Sequence, residues 1–525
     1  MAKQRVWDWA IVGSGFGGSV SALRLVEKGY RVVVLEKGRR FRPQDFPKSN
    51  WDLRRWMWRP KLGMRGLFKM TVFPHVTVLS GVGVGGGSLV YANTLPTPGS
   101  DFFEAPSWAH LGDWERELAP HYPTARRMLG ATPYPGMTEA DRALQAVARK
   151  RNLPFSQPDV AVYFGEPGKT VKDPYFGGEG PDRTGCTHCG GCMIGCRVGA
   201  KNTLDKNYLY LAEKRGLTIW AEHEVTAIRP LPESEGPGYR LEVTERGRVK
   251  RVLRARNVIL SGGVLGTVEL LLRMREDPAG LPLLSPRVGS FVRTNSEALL
   301  GVTSRRKDID LSRGVAITSI VHTDAHSHIE PVRYPKGSSF FRILSAPHIQ
   351  GGPLPVRLAQ AVSAFARRPL DYLGAAFASR WAERTAVLLY MRTLEGHLDL
   401  KLGRAWAQGF VRGLTTRLAE GPAPLATIPE ASELARDFAK EIDGVVQSLL
   451  TETVLGIPTT AHILGGACMG KDPDEGVINT DHAVFGYPGL FVIDGAAVSA
   501  NPGVNPSLTI TALAERAMTK IPAKA

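Results

Sequence analysis

Read for its apolar and polar positions, the chain opens on an apolar run, WDWAIV, that breaks at the glycine-rich turn GSGFGG. Small and apolar residues at helical spacing follow, and then a second apolar run, RVVVLEKG. The pattern predicts strand, helix, strand: a βαβ unit over residues 7–36. Later segments carry the helical period. Residues 351–385 set apolar positions against a basic polar face, and a glycine and proline loop near 421–429 precedes a second helical stretch, ASELARDFAKEIDGVVQSLL. At 81–93 a second glycine loop, GVGVGGGSLVYAN, is suited to bring backbone amides close to a bound group. There is no internal repeat and no low-complexity tract.

At 525 residues the chain is long enough for two or more packed layers or domains around a large ligand. Its composition, 43% hydrophobic and 22% charged, excludes disorder. A formal charge of +16 permits attraction to anionic surfaces, but no nucleic-acid-binding motif accompanies it, and no nucleic-acid partner is expected. The N-terminus runs directly into the first strand without a signal peptide, and no apolar run reaches the roughly 20 residues of a spanning helix. The expected location is cytoplasmic, with any membrane contact peripheral. Five cysteines in such a chain exclude a disulfide scaffold and point to metal or redox use.

The first glycine turn has a defined chemistry. Gly13 allows the tight turn, Gly15 lets the backbone approach a pyrophosphate, and Gly18 lets helix and strand pack closely. Glu36, at the end of the second strand, is placed to accept hydrogen bonds from an adenosine ribose. An acid there disfavours the 2′-phosphate of NADP and leaves NAD or FAD.

The C-terminal region adds HILGGACMG from His462, and then FVIDGAAVSANPGVNPSLTITALAERAM with Asp494, Asn505 and Pro506. With the two glycine loops, this ordered set resembles the glucose-methanol-choline (GMC) family of FAD oxidoreductases, and within it the bacterial cholesterol oxidases that bind FAD noncovalently. The resemblance implies an α/β fold: a Rossmann-type FAD-binding domain with an interleaved α+β substrate domain built on an antiparallel sheet. The expected division gives residues 1–100, 186–300 and 455–525 to the FAD domain, and 101–185 and 301–454 to the substrate-binding cap. In the family pattern Gly13, Gly15, Gly18 and Glu36 hold the ADP half of FAD, and Gly85, Gly86, Ser88 and Asn93 lie by the flavin. Val225 meets the adenine, and Asp494 and Gly495 lie by the pyrophosphate and ribityl chain, with Asn505 and Pro506 closing the site. Val90 and Tyr91 stand where some members carry a histidine that tethers FAD, so noncovalent binding is expected.

Oxidising an alcohol takes a proton acceptor for the hydroxyl and a hydride acceptor for the carbon, the second being the flavin. The resemblance gives the first role to His462 and the orientation of substrate and flavin to Asn505. It implies oxidation of a bulky apolar alcohol, a 3β-hydroxysteroid such as cholesterol, to the ketone. Glu330, in HSHIEPVRYPKG, resembles the glutamate that moves a proton when the double bond isomerises to the 4-en-3-one. His322, His326 and His328 just before it read as strand or loop residues. The alternatives are a GMC dehydrogenase for another alcohol and, in another class, a lipid-surface protein with a relic FAD site.

Cys186, Cys189, Cys192 and Cys196 have the C-x2-C-x2-C-x3-C spacing of a bacterial ferredoxin run, without its final proline. Some GMC dehydrogenases carry an iron-sulfur cluster in such a segment. An iron-sulfur cluster, zinc, or reduced thiols without metal all remain open, and Cys468 is a further candidate ligand. The choice decides whether oxygen or an external acceptor takes the electrons. Trp51, Trp56 and Trp58 stand among arginines in WDLRRWMWRPKLGMRGLF, suited either to a lipid interface or to packing inside a cap.

Overall fold

A computed structural model describes residues 6–394 and 396–525. The strands Trp7–Val12 and Val32–Glu36 pair in parallel, with the helix Phe16–Glu27 between them. Gly13 turns the chain at φ +100°, where a Cβ would stand 2.2 Å from the Ser261 carbonyl oxygen. Only glycine satisfies both conditions.

Two seven-stranded sheets organise the molecule. The first sets Thr218–Ala221, Val32–Glu36, Trp7–Val12 and Val249–Leu260 side by side in parallel, and Tyr239–Glu245 and His223–Pro230 extend it as an antiparallel ribbon. Leu490–Val492 adds in parallel on the Val249–Leu260 strand. The second sheet is antiparallel throughout, in the order Ser345–Pro347, Gly444–Leu449, Ala298–Ser304, Thr385–Arg392, Ser327–Val332, Ile320–His322, Phe155–Ser156. The helices Glu139–Arg151 and Pro429–Glu441 share its core. A Rossmann-type layer with an α+β cap on an antiparallel sheet is therefore what the chain builds.

Three local expectations change. The stretch 431–450 is helical only to Glu441: Asp443 turns at φ +47°, and the β-branched GVVQSL continues as a strand. Residues 351–385 form separate helices, Leu354–Arg367, Pro369–Ala376 and Trp381–Arg384, because the proline after Arg368 removes a backbone donor. Residues 102–129, expected with the cap, bury Phe102, Trp108, Trp114 and Tyr122 in the core of the first sheet. Trp108 and Trp114 stack there, each indole N–H donating to a carbonyl six residues back. That satisfied aromatic packing, against the helix Ser507–Thr519, decides their place.

Candidate active site

The two sheets enclose a cavity of about 420 Å³. One part of its wall is backbone: Gly13, Gly15, Gly86, Gly263 and Gly266 line it, and a Cβ on Gly15, Gly263 or Gly266 would meet no atom within 4 Å. Glu36 sits at this wall with its carboxylate fixed by the Ser14 amide (3.2 Å), the Ser14 hydroxyl (2.8 Å) and the Gly38 amide (2.8 Å). Val225 lines the same stretch. Asp494 accepts from the Gly263 amide, the Thr267 hydroxyl and the Ala496 amide at 2.6–2.8 Å, and burial still pushes its carboxyl up to about 6. Gly495, Asn505 and Pro506 complete this side, and Val90 and Tyr91 face the cavity from the second glycine loop. A glycine cradle with a fixed acid at one end and the buried, protein-unpartnered Asn505 Oδ1 at the other fits an extended dinucleotide such as FAD.

Other residues of the motifs lie one layer behind the wall. Gly18 lets the helix approach the turn, since a Cβ there would stand 2.2 Å from the Gly13 carbonyl oxygen. Gly85 donates its amide to the Ser14 hydroxyl, and the Ser88 hydroxyl is used within the loop, donating to the Gly85 carbonyl (2.6 Å) and accepting from the Leu204 amide (3.0 Å). Asn93, buried at φ +68°, lies with its side chain beside Cys192.

His462 lines the cavity on the far side of the cradle. Its Nδ1 lies 3.1 Å from Glu297 Oε2, which leaves Nε2 as the nitrogen available to the cavity. Glu297 is saturated: its other oxygen accepts from the Ala461 amide (2.8 Å), the His462 amide (3.2 Å) and the Thr460 hydroxyl. Burial disfavours the charged ring, but the Glu297 charge and hydrogen bond outweigh it and hold the His462 pKa above its ordinary value. Behind this pair, burial and secondarily the Glu297 charge push Glu452 up to about 8. Beyond His462 the wall turns apolar, through Leu299, Ile317, Val332, Phe341, Val387 and Leu389.

Glu330 stands on the Ser327–Val332 strand, two residues from the wall residue Val332 and hence on the same face, but it is not itself part of the wall. It is fully buried, neither oxygen has a hydrogen-bond partner, and His328 Nε2 lies 3.3 Å away. His326 pairs with Asp101, and the His322 ring lies tilted against that of His328, their centroids 5.9 Å apart.

Against known proteins, a GMC oxidoreductase N-terminal model matches residues 180–274, a GMC oxidoreductase C-terminal model 388–514, and an NAD(P)-binding Rossmann-like model 11–77. A cholesterol oxidase of Acinetobacter baumannii is 42% identical over 99% of this chain and 95% of its own length. One from Mycobacterium tuberculosis H37Rv is 44% identical over 99% and 91%. The chain belongs to the GMC oxidoreductase family. Pyridoxine 4-oxidase from Mesorbium loti shares the fold, with a TM-score of 0.63 at 16% identity over 98% of this chain and 99% of that one.

As a GMC oxidoreductase the chain is an FAD-dependent enzyme acting on CH–OH groups. Sequence reasoning missed Glu452 and two further buried groups. Glu297 meets His462 across 165 residues of chain, and its segment, VRTNSEALLG, carries no motif. Lys201, fully buried, donates to the carbonyls of Leu89 (3.1 Å), Tyr91 (2.8 Å) and Cys192 (2.8 Å), and burial pulls its pKa down to about 7. It ties the cysteine loop to the second glycine loop; the only hint was its place five residues after the last cysteine of that run.

All four clustered cysteines line one small cavity beside Lys201, with the His188 amide 3.4 Å from Cys186 Sγ and the Lys201 amide 3.5 Å from Cys196 Sγ. Cys468 lies elsewhere, against Phe291 and Arg293, which removes it from the candidate ligands. Among the described residues no three potential ligands are gathered tightly enough to hold a single metal ion. No described helix is long and apolar enough to cross a membrane.

Proposed function

We propose that this enzyme oxidises the hydroxyl of a bulky apolar alcohol, with a 3β-hydroxysteroid such as cholesterol as its substrate, to the ketone, using noncovalent FAD and oxygen as acceptor. One observation carries the reading: His462 and Asn505 line the same cavity as the glycine cradle, at the point where its wall becomes apolar. The names of the two relatives above support a sterol. The absence of a histidine at Val90 and Tyr91 supports noncovalent binding.

FAD, when bound, supplies the two-electron acceptor for the carbon-bound hydrogen and returns the electrons to oxygen as peroxide. The chain supplies the rest. His462 Nε2 accepts the hydroxyl proton while Glu297 fixes the ring through Nδ1 and steadies its positive charge. Asn505 orients the substrate oxygen, and the apolar wall holds the ring system and excludes water. Glu330, whose oxygens make no hydrogen bond although His328 Nε2 stands 3.3 Å away, carries the proton that shifts the double bond toward the conjugated enone.

The test is anaerobic mixing of the FAD-loaded enzyme with cholesterol and with a panel of other apolar alcohols, followed by flavin absorbance. Bleaching by cholesterol and peroxide on admitting air are the expected results. Reduction by another alcohol alone overturns the substrate, and an unchanged rate in His462→Ala overturns the site.

A second reading rests on the shared cysteine cavity and its link through Lys201 to the flavin-side loop: Cys186, Cys189, Cys192 and Cys196 would hold an iron-sulfur cluster, which would supply a one-electron path to an external acceptor. Iron and sulfide measured on the same sample decide it, together with bleaching that proceeds without later oxygen uptake.

A further inference from the structure

The helix Leu354–Arg367 has no buried residue. Leu354, Leu358, Val362 and Phe365 fall at i, i+4, i+8 and i+11, a single stripe, and all four are exposed, Val362 at 69%. The next helix, Pro369–Ala376, continues the face with Leu370 at 82%, and Phe377 follows at 77%. A helix of a globular protein turns its apolar stripe inward; here the stripe faces out.

Beneath, the first helix rests on Ser345–Pro347 and on Thr451–Leu455. Ser345, with Ser448 and Leu449 of the adjoining strand, lines the cavity, so the exposed face covers the apolar end of the substrate site. Its charge is one-sided. Arg342 stands by Trp51 and Arg367 and Arg368 end the first helix, while Arg357 turns inward onto the Val454 carbonyl and Arg380 is paired with Glu383; the sole acid between residues 331 and 382 is Asp371, already held by Arg305 at 2.7 Å. Just ahead of the Ser345–Pro347 strand on which that helix rests, Trp51 packs on residues 339–342 and is 42% exposed, with its ring near the Arg342 guanidinium and its indole N–H on Ser339. Apolar stripe, arginine border and interfacial tryptophan are the elements of a surface that lies in a lipid headgroup layer. A second copy would bring like charges together, whereas an anionic leaflet complements them.

We propose that residues 354–377, with Trp51, form the face by which this enzyme seats on an anionic lipid bilayer, the apolar end of its cavity turned to the membrane. The test is co-sedimentation of the FAD-loaded full chain with sterol-free vesicles, so that binding is read independently of any substrate. Vesicles of phosphatidylcholine with phosphatidylserine are expected to carry the enzyme down, phosphatidylcholine alone to carry less, and added salt to reduce the difference. The pair Val362→Asp with Phe365→Asp is expected to weaken binding at least about tenfold. Its melting temperature and FAD content should stay those of the parent. A parent chain that ignores both vesicles, or a double variant that binds as well as the parent, overturns the proposal. So does sedimentation velocity that shows a dimer broken by the same pair, since the face then belongs to a second copy.

Discussion

Glu297 and Glu330 are both buried carboxylates of the second sheet, one just ahead of the Ala298–Ser304 strand and one within Ser327–Val332, yet they are held in opposite ways. Glu297 takes hydrogen bonds from two backbone amides, a hydroxyl and the His462 ring. Glu330 takes none. A buried carboxylate with its acceptors filled is held in place and positions its neighbours, whereas one without hydrogen bonds is costly to bury. One sheet thus holds a braced carboxylate beside the cavity and an unbraced one behind its wall.

The harshest way to break this contrast is Glu297→Ala. The Ala461 and His462 amides lose their acceptor, so the melting temperature should drop by the equivalent of about 2–5 kcal/mol, and anaerobic flavin reduction should slow by about 10²-fold or more. If it proves as mild as a change at Glu330, the brace is not one. Glu297→Gln keeps the shape and removes the charge. His462 must be neutral to accept a proton, so the parent's reductive rate should fall as pH drops through the raised histidine pKa. In the variant that pKa drops, and the acid limb of the stopped-flow profile should move to lower pH.

Glu330→Gln should leave ketone formation within about threefold while the conjugated product disappears, read by its absorbance. Equal loss of both products would make Glu330 part of the oxidation machinery. The smallest effect concerns Glu452, held up to about 8. The native state keeps a proton that the unfolded chain has lost, so stability should decline as pH rises from the ordinary carboxylate range to about 8. Thermal melts of Glu452→Gln over that range should lack this slope.

The nucleotide layer was legible because its requirements are local: a turn that needs Gly13, a close approach that needs Gly18, an acid at the end of the next strand. His462 and Asn505 were legible through the segments around them. Glu297, Lys201 and Glu452 were not, since their roles come from partners far along the chain, and an isolated Glu or Lys carries no trace of burial. The tryptophan segment shows the same limit within a few residues. Trp56 is buried and stacked 4.6 Å from Phe68, while Trp51 reaches solvent, and both sit among arginines. The second sheet was foreseen only through the resemblance; where its Gly444–Leu449 strand begins, after the helix that ends at Glu441, depends on Asp443 leaving the helical region.

The pairing of Leu490–Val492 with Val249–Leu260 has a consequence for how the enzyme comes into being. Residues 7–36 leave the ribosome early, but the segment bearing Asp494 and Asn505 follows only after the cap has been made, a delay of roughly 20 to 90 s at ordinary translation speed. Until then the nascent chain lacks the far wall of its own cofactor cradle. FAD capture is therefore tied to the last stage of synthesis, and a message cut short before residue 490 yields a chain with a dinucleotide turn but no complete place to hold the flavin.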